Sequence, residues 1–292
     1  MQPNSETLAQ VPAGDWKEVI TADDKLLAVN LKELWNYRDL LLIFTKRDIT
    51  AIYKQTILGP LWFFLQPALT TVVYILVFSK AGKLSTDQLP PVLFYISGLI
   101  IWMYFSECIL KTSNFLKDNA PILTKVYFPR LILPISIALT NLVKLGIQLL
   151  LFFSVYLFYF FNGDDIQPNP YALLFPLLIF FIGLFGLGSG IIVSSLTTKY
   201  KDLSHLVVFA VQLMMFASPV IFPLSSITDP FLLQLLKLNP VSGIIEAFRF
   251  GFLGKGYLSW SLLLYDFAVI TIILLTSLIT FNRVQRQFVD TI

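Results

Sequence analysis

The chain has 292 residues, of which 56% are hydrophobic, 15% aromatic and only 13% charged, with 21 basic side chains against 18 acidic ones. A mean hydropathy of +0.75 excludes a water-soluble domain, and a net charge of +3 gives no reason to expect a nucleic-acid partner. The apolar runs are continuous rather than alternating in ten-residue units, which excludes a β-barrel and leaves an all-α, polytopic helical membrane protein.

Residues 1–30 form a polar arm with no apolar h-region and no small-residue cleavage pattern, so no removable signal peptide is expected. From 31 to 58 the apolar residues Leu31, Leu34, Trp35, Leu42, Ile49, Ile52, Tyr53 and Ile57 recur at mostly helical spacing, with Lys32, Arg38, Lys46, Arg47 and Lys54 on the polar side. This predicts one amphipathic helix lying in the membrane surface, the alternative being a signal anchor with a basic flank.

The rest, 59–292, reads as one transmembrane domain. A hydrocarbon core of about 30 Å needs roughly 20 apolar residues per helix. Six candidate spans lie near 61–79, 92–110, 131–161, 171–196, 205–223 and 259–281. Six crossings put both termini on one side. With that side cytoplasmic, fifteen basic residues fall inside and five outside, Lys144 lying within a span; the short loops alone divide eight to five.

Two inner connections are candidate partner contacts. Lys111 to Arg130 reads as a polar helix interrupted at Pro121, and Thr197 to His205 is short, mixed in charge and carries Tyr200. Residues 224–258 hold two apolar pieces, each too short to span, broken by Pro230, Asn239-Pro240 and Gly254. A re-entrant pair of half-helices at the outer side is expected there. On the second piece Glu246 and Arg249 are three apart, which places them on one helix face as an ion pair. The pair reads as a staple or an outer gate at a partly wet site, and exchanging the two residues is expected to recover part of what either loss costs.

Within the spans the polar set is small: Glu107, Asn141, Lys144, Gln148, Gln212 and Asp266. Its charges should face protein or water and pair structurally, since scattered groups form no proton relay. Gly183, Gly186, Gly188 and Gly190 suggest a close helix contact. Aromatic faces give a sliding sugar chain many interchangeable contacts, and Tyr74, Tyr95 and Tyr104 are the best candidates for lining such a path; interfacial anchoring is the competing role. Cys108 and His205 stand alone, so neither a disulfide nor a metal site is expected. No phosphate-binding loop occurs, because Gly251-Phe252-Leu253-Gly254-Lys255-Gly256 lacks both its spacing and its hydroxyl.

Several strings together resemble one family. They are Tyr53-Lys54-Gln55-Thr56-Ile57-Leu58-Gly59-Pro60-Leu61-Trp62 with Gln66-Pro67, Lys125-Val126-Tyr127-Phe128-Pro129-Arg130, Lys199-Tyr200-Lys201-Asp202, Ser218-Pro219-Val220-Ile221-Phe222-Pro223, and Asn239-Pro240 with Glu246 and Arg249. In order and spacing they resemble the permease subunit of polysaccharide-exporting type 2 ABC transporters, from about residue 31 onward. The resemblance implies a homodimer in the bacterial inner membrane, both termini cytoplasmic, bound to two copies of a separate ATPase that carries ATP and magnesium. It implies export of lipid-linked polysaccharide such as O-antigen, with no cofactor on this chain. It also implies ATPase contacts at Asp118, Lys125, Lys199, Tyr200, Lys201 and Asp202, and an outer mouth near Glu246 and Arg249. Capsule or teichoic acid export, and drug or lipid transport on the same fold, are the alternatives. A membrane-embedded glycosyl- or acyltransferase would need His or carboxylates clustered at one membrane face, which the sequence lacks.

Overall fold

The computed structural model describes residues 31–54, 56–197 and 202–289, and among them every regular element is helical. Helix α1 (Leu31–Asn36) and α2 (Arg38–Tyr53) precede the bundle. The single helix expected over 31–58 is therefore broken at Tyr37, whose φ −95°, ψ 19° leaves the helical well, and it stops at Tyr53. The expected apolar face also divides in two. Leu34, Tyr37, Leu41 and Phe44 pack inward at three- and four-residue spacing, whereas Trp35, Leu42 and Ile43 are exposed.

The membrane-length helices follow. Gly59–Ala81 comprises a 3-10 turn, α3 (Trp62–Tyr74) and a π-helical end over Ile75–Ala81. Pro67 lies only six residues into α3, so it interrupts little of the helix, and Thr71 Oγ1 donates to the Pro67 carbonyl at 2.7 Å. Then come α4 (Pro91–Ser113), the short α5 (Phe115–Asp118) and α6 (Ala120–Leu123), α7 (Ile132–Phe161) and α8 (Phe175–Thr197).

Helix α9 (Leu203–Phe216) has 14 residues, about 21 Å of helix, where a span over 205–223 is expected. Turns from Ala217 onward replace its last part, because Pro219 and Pro223 cannot continue the helix. Helices α10 (Pro230–Lys237) and α11 (Pro240–Leu253) meet at 92°, and α12 runs from Trp260 to Val289.

Local chemistry fixes these joints. Asn169, Asp229 and Asn239 each precede a proline and accept a hydrogen bond from the backbone N–H two residues on, at 3.2, 2.9 and 3.1 Å. An Asx cap followed by proline is preorganised to start a helix. Gly254, at φ +70°, closes α11 in the left-handed conformation.

Helix α4 is the hub: α3, α7, α8, α9 and α11 all pack on it. Its most extensive contact is with α8, because α8 presents glycines to it. A β-carbon on Gly186 would lie 2.6 Å from Cys108 Cβ, and one on Gly190 would lie 2.5 Å from Thr112 Cβ. The small-residue stripe read in the sequence thus brings two helices into backbone contact, and α12 packs along another side of α8 beside Gly188.

Candidate functional site: the two ends of the bundle

The C-terminal end of α4 carries a second apolar cluster, separate from the main core. Phe44 of α2, Phe115 and Leu116 of α5, Phe128, Ile132, Ile191 of α8 and Phe281 of α12 are all buried in it. The Phe44 and Phe128 rings are 5.6 Å apart and those of Phe115 and Phe281 6.1 Å, within the range of favourable aromatic pairs. Arg47 stacks over Phe44 and reaches Asn119 Oδ1 at 3.5 Å, so α2 is tied to the α5–α6 turn.

Thr197 Oγ1 donates to the Ser113 carbonyl at 3.0 Å, which places the end of α8 beside the end of α4. Two helix ends far apart in sequence therefore meet at one end of the bundle. Asp118 and Lys125 are exposed there, and so is Asp202 at the start of α9. Lys199, Tyr200 and Lys201 lie outside the described residues. Exposed Val126 and Tyr127 stand next to Arg130, whose guanidinium burial pushes below the ordinary arginine value while Tyr127 opposes the shift.

The opposite end is organised around Arg249. Its Nε donates to Ser97 Oγ at 3.2 Å, Nη1 to the Pro219 carbonyl at 2.5 Å, and Nη2 to the Phe94 and Val220 carbonyls at 3.1 and 3.3 Å. The guanidinium also stacks 3.8 Å over the Phe94 ring. Glu246 Oε1 accepts from Leu224 N at 3.2 Å and Oε2 from Tyr257 N at 2.9 Å. The two side chains face each other at 3.6 Å, and each is 1% exposed.

The expected ion pair thus exists, but the expected partly wet setting does not: α4, the 217–224 turns and the loop before α12 enclose it. Asn239 adds a further tie, its Nδ2 donating to the Ala217 carbonyl and to Ser218 Oγ at 2.9 and 2.7 Å. Asn169 Nδ2 donates to the Phe250 carbonyl at 2.8 Å and joins the start of α8 to α11.

The three candidate path tyrosines are not equivalent. Tyr95 is 0% and Tyr104 6% exposed, the first set edge-on between Phe94 and Tyr74 and the second filling the notch at Gly183. Both occupy contacts between helices, so in this conformation neither lines a surface that a polymer could touch. Sequence showed that they are polar-tipped and, with Tyr74, not all at span ends, but not which face of α4 carries them. Tyr74 is half-buried on α3 and donates to Met215 Sδ at 3.2 Å.

Of the intramembrane charges, Glu107 and Lys144 pair at 2.5 Å between α4 and α7, as structural pairing requires. Asp266 is 0% exposed, and neither carboxylate oxygen has a hydrogen-bond partner. It abuts Gly243 of α11, where a β-carbon would come within 2.0 Å of Oδ2. Nothing in the sequence singled out Gly243; only the crossing of α11 over α12 shows it.

The family model described as ABC-2 type transporter matches residues 39–253. The chain belongs to this family. It is a transporter's membrane-spanning permease subunit and not an enzyme.

The O-antigen export system permease protein RfbA of Myxococcus xanthus is 32% identical over 220 residues, covering 75% of this chain and 82% of that protein. Two proteins of the same name from Klebsiella pneumoniae are 26% and 27% identical over 256 and 253 residues, each match covering 86% of this chain and 94% of the relative. Membership in the ABC-2 family implies a separate partner ATPase and a multi-pass membrane location.

Proposed function

We propose that this chain is the permease subunit of an ATP-driven exporter of lipid-linked O-antigen polysaccharide, working as a homodimer with two ATPase subunits in a bacterial inner membrane. The observation that carries the reading is the similarity, over most of both chains, to three proteins named as O-antigen export permeases. ATP and magnesium belong to the ATPase, and this chain contributes the path and the coupling surface.

The end of the bundle holding α5, α6 and the end of α8 is the ATPase-facing, cytoplasmic end, and Asp118, Lys125, Lys199, Tyr200, Lys201 and Asp202 are its contact residues. What supports this is the shared exposed platform, backed by the aromatic cluster of Phe44, Phe115, Phe128 and Phe281. A force applied there reaches α4, α7, α8 and α12 through packed rings rather than through a floppy loop. The opposite end, closed by the α10–α11 pair with Glu246 and Arg249 at its root, is the outer mouth. Tyr74 is the member of the tyrosine set with access to a path. Both termini are cytoplasmic, and residues 31–53 lie in the inner membrane surface with Trp35, Leu42 and Ile43 toward lipid.

The test is co-purification of the chain with the candidate ATPase, followed by ATPase measurements in liposomes with and without lipid-linked polysaccharide. Stimulation by the glycan conjugate is expected. Hydrolysis by the permease alone, or stimulation by hydrophobic drugs with indifference to the glycan, would overturn the reading.

A further inference from the structure

At the outer end an open cleft of about 450 Å³ lies between the last turn of α10 and the first turns of α12, lined by Gln234, Lys237, Ser259, Ser261 and Tyr265 among others. Its charge is unbalanced. The Lys237 ammonium stacks 4.6 Å over the Tyr257 ring, and no carboxylate pairs with it among the described residues. The polar lining is otherwise neutral amide and hydroxyl.

Aromatic side chains surround the cleft: Tyr257, Trp260 and Tyr265 are all exposed. Such a set is typical of the level where headgroups meet hydrocarbon. Helix α10 adds exposed Phe231, Leu235 and Leu238 at helical spacing, with Gln234 among them and Lys237 to one side.

An exposed apolar stripe leads away from the cleft along α12. Leu264, Ile272, Leu275 and Ile279 follow one another on one side of the helix, about 22 Å from first to last, more than half the thickness of a bilayer core. A largely apolar cleft, floored by Leu238 and Leu262 and edged by one amide, two serine hydroxyls and a cation without a carboxylate partner, is continuous with an apolar stripe of that length, and together they have the shape of an amphiphile with one negative charge at its head.

We propose that this cleft is a headgroup site for an anionic phospholipid of the surrounding bilayer. Its phosphodiester sits at Lys237, hydrogen-bonded by Gln234, Ser259 and Ser261, and an acyl chain lies along the α12 stripe. One lysine matches the single charge of a phosphodiester; a lipid diphosphate would bring at least two charges to one cation. The bound lipid would brace α10 against α12 at the bend of the re-entrant pair.

Full-length chain released from nanodiscs of phosphatidylglycerol, phosphatidylcholine and diacylglycerol in equal parts, analysed by native mass spectrometry, tests this. Phosphatidylglycerol should dominate the retained lipid, and Lys237→Gln should lower its retention about tenfold, the effect of losing one charge-assisted contact. Ser261→Phe, which fills the cleft and keeps the lysine, should lower it as well, whereas Lys80→Gln at an exposed position should not. Unchanged retention in Lys237→Gln, or equal retention of the three lipids, would overturn the proposal. Displacement of phosphatidylglycerol by a prenyl diphosphate at lower concentration would also overturn it, and would assign the cleft to the exported conjugate. None of these outcomes depends on transport, so they leave the exporter reading to its own test.

Discussion

Glu246 and Arg249 lie 3.6 Å apart on one face of α11, yet each is fastened to different parts of the chain. Glu246 takes only backbone N–H donors, from Leu224 and Tyr257, while Arg249 gives its donors to the Phe94, Pro219 and Val220 carbonyls and to Ser97. The expectation that exchanging them recovers part of the function does not survive this arrangement. A carboxylate at 249 would face three carbonyl oxygens, and a guanidinium at 246 would face two N–H groups. Breaking a buried pair costs about 3–5 kcal/mol. Glu246→Gln and Arg249→Gln should each lower the thermal midpoint of the purified chain markedly, and the exchanged pair should be at least as unstable as the worse single variant. Recovery of stability in the exchanged pair would contradict these contacts.

The pair between α4 and α7 should behave in the opposite way. Glu107 and Lys144 bond chiefly to each other, with Lys144 also 5.7 Å from the Phe63 ring centroid. Neither is anchored to a backbone group, so exchange to Glu107→Lys with Lys144→Glu should retain most of the stability that either charge reversal loses. Replacing both by apolar residues, as in Glu107→Leu with Lys144→Met, should be neutral or stabilising by about 1–4 kcal/mol, because desolvation of both ions is removed. Thermal unfolding in detergent reads both. A double apolar variant less stable than either single change would mean that the charges serve something beyond pairing.

The contrast between the two pairs shows what sequence could and could not reveal. The i, i+3 spacing of Glu246 and Arg249 makes their pairing legible, because helix geometry alone brings them together. Their burial is not legible, since it depends on the 217–224 turns folding back over α11. The bent helix pair could be read because Asp229-Pro230 and Asn239-Pro240 are helix starts written in local chemistry. The shortness of α9 could have been read from Pro219 and Pro223, yet hydropathy runs on past Phe216 and hides where the helix ends. Tyr95 and Tyr104 show the other failure: a polar tip within a span identifies a side chain that needs a partner, and only packing says whether that partner is a neighbouring helix or a passing substrate.

Cysteine labelling can test which ends of the bundle face which compartment. The native Cys108 is fully buried and is expected to be silent toward a membrane-impermeant maleimide, so it need not be removed. Asp118→Cys and Asp202→Cys should react together from the cytosolic face of inverted vesicles, and Ser225→Cys, exposed near α10, only from the opposite face. Reaction of positions 118 and 202 from different sides would break the shared platform.

The sharpest test of how α11 packs on α12 is at Gly243 and Asp266. The Asp266 carboxyl has no hydrogen-bond partner and lies where a β-carbon of residue 243 would stand, at 2.0 Å from Oδ2. An isolated charge in such a place is far costlier than a neutral polar group, so what the position accommodates is the shape of the carboxyl rather than its charge. Asp266→Asn keeps that shape and breaks no hydrogen bond, so it should be tolerated better than Gly243→Ala. Gly243→Ala should instead push α11 off α12 and cost about 1–3 kcal/mol, the ordinary penalty for forcing an extra carbon into a packed contact. Asp266→Ala removes the atoms in the way. If overlap is the cause, the double variant Gly243→Ala, Asp266→Ala should be more stable than the sum of the two single losses predicts, with an interaction energy of about 0.5–3 kcal/mol read by thermal or denaturant unfolding. Strict additivity would show that the two residues do not touch, and α11 would then cross α12 differently from the arrangement described.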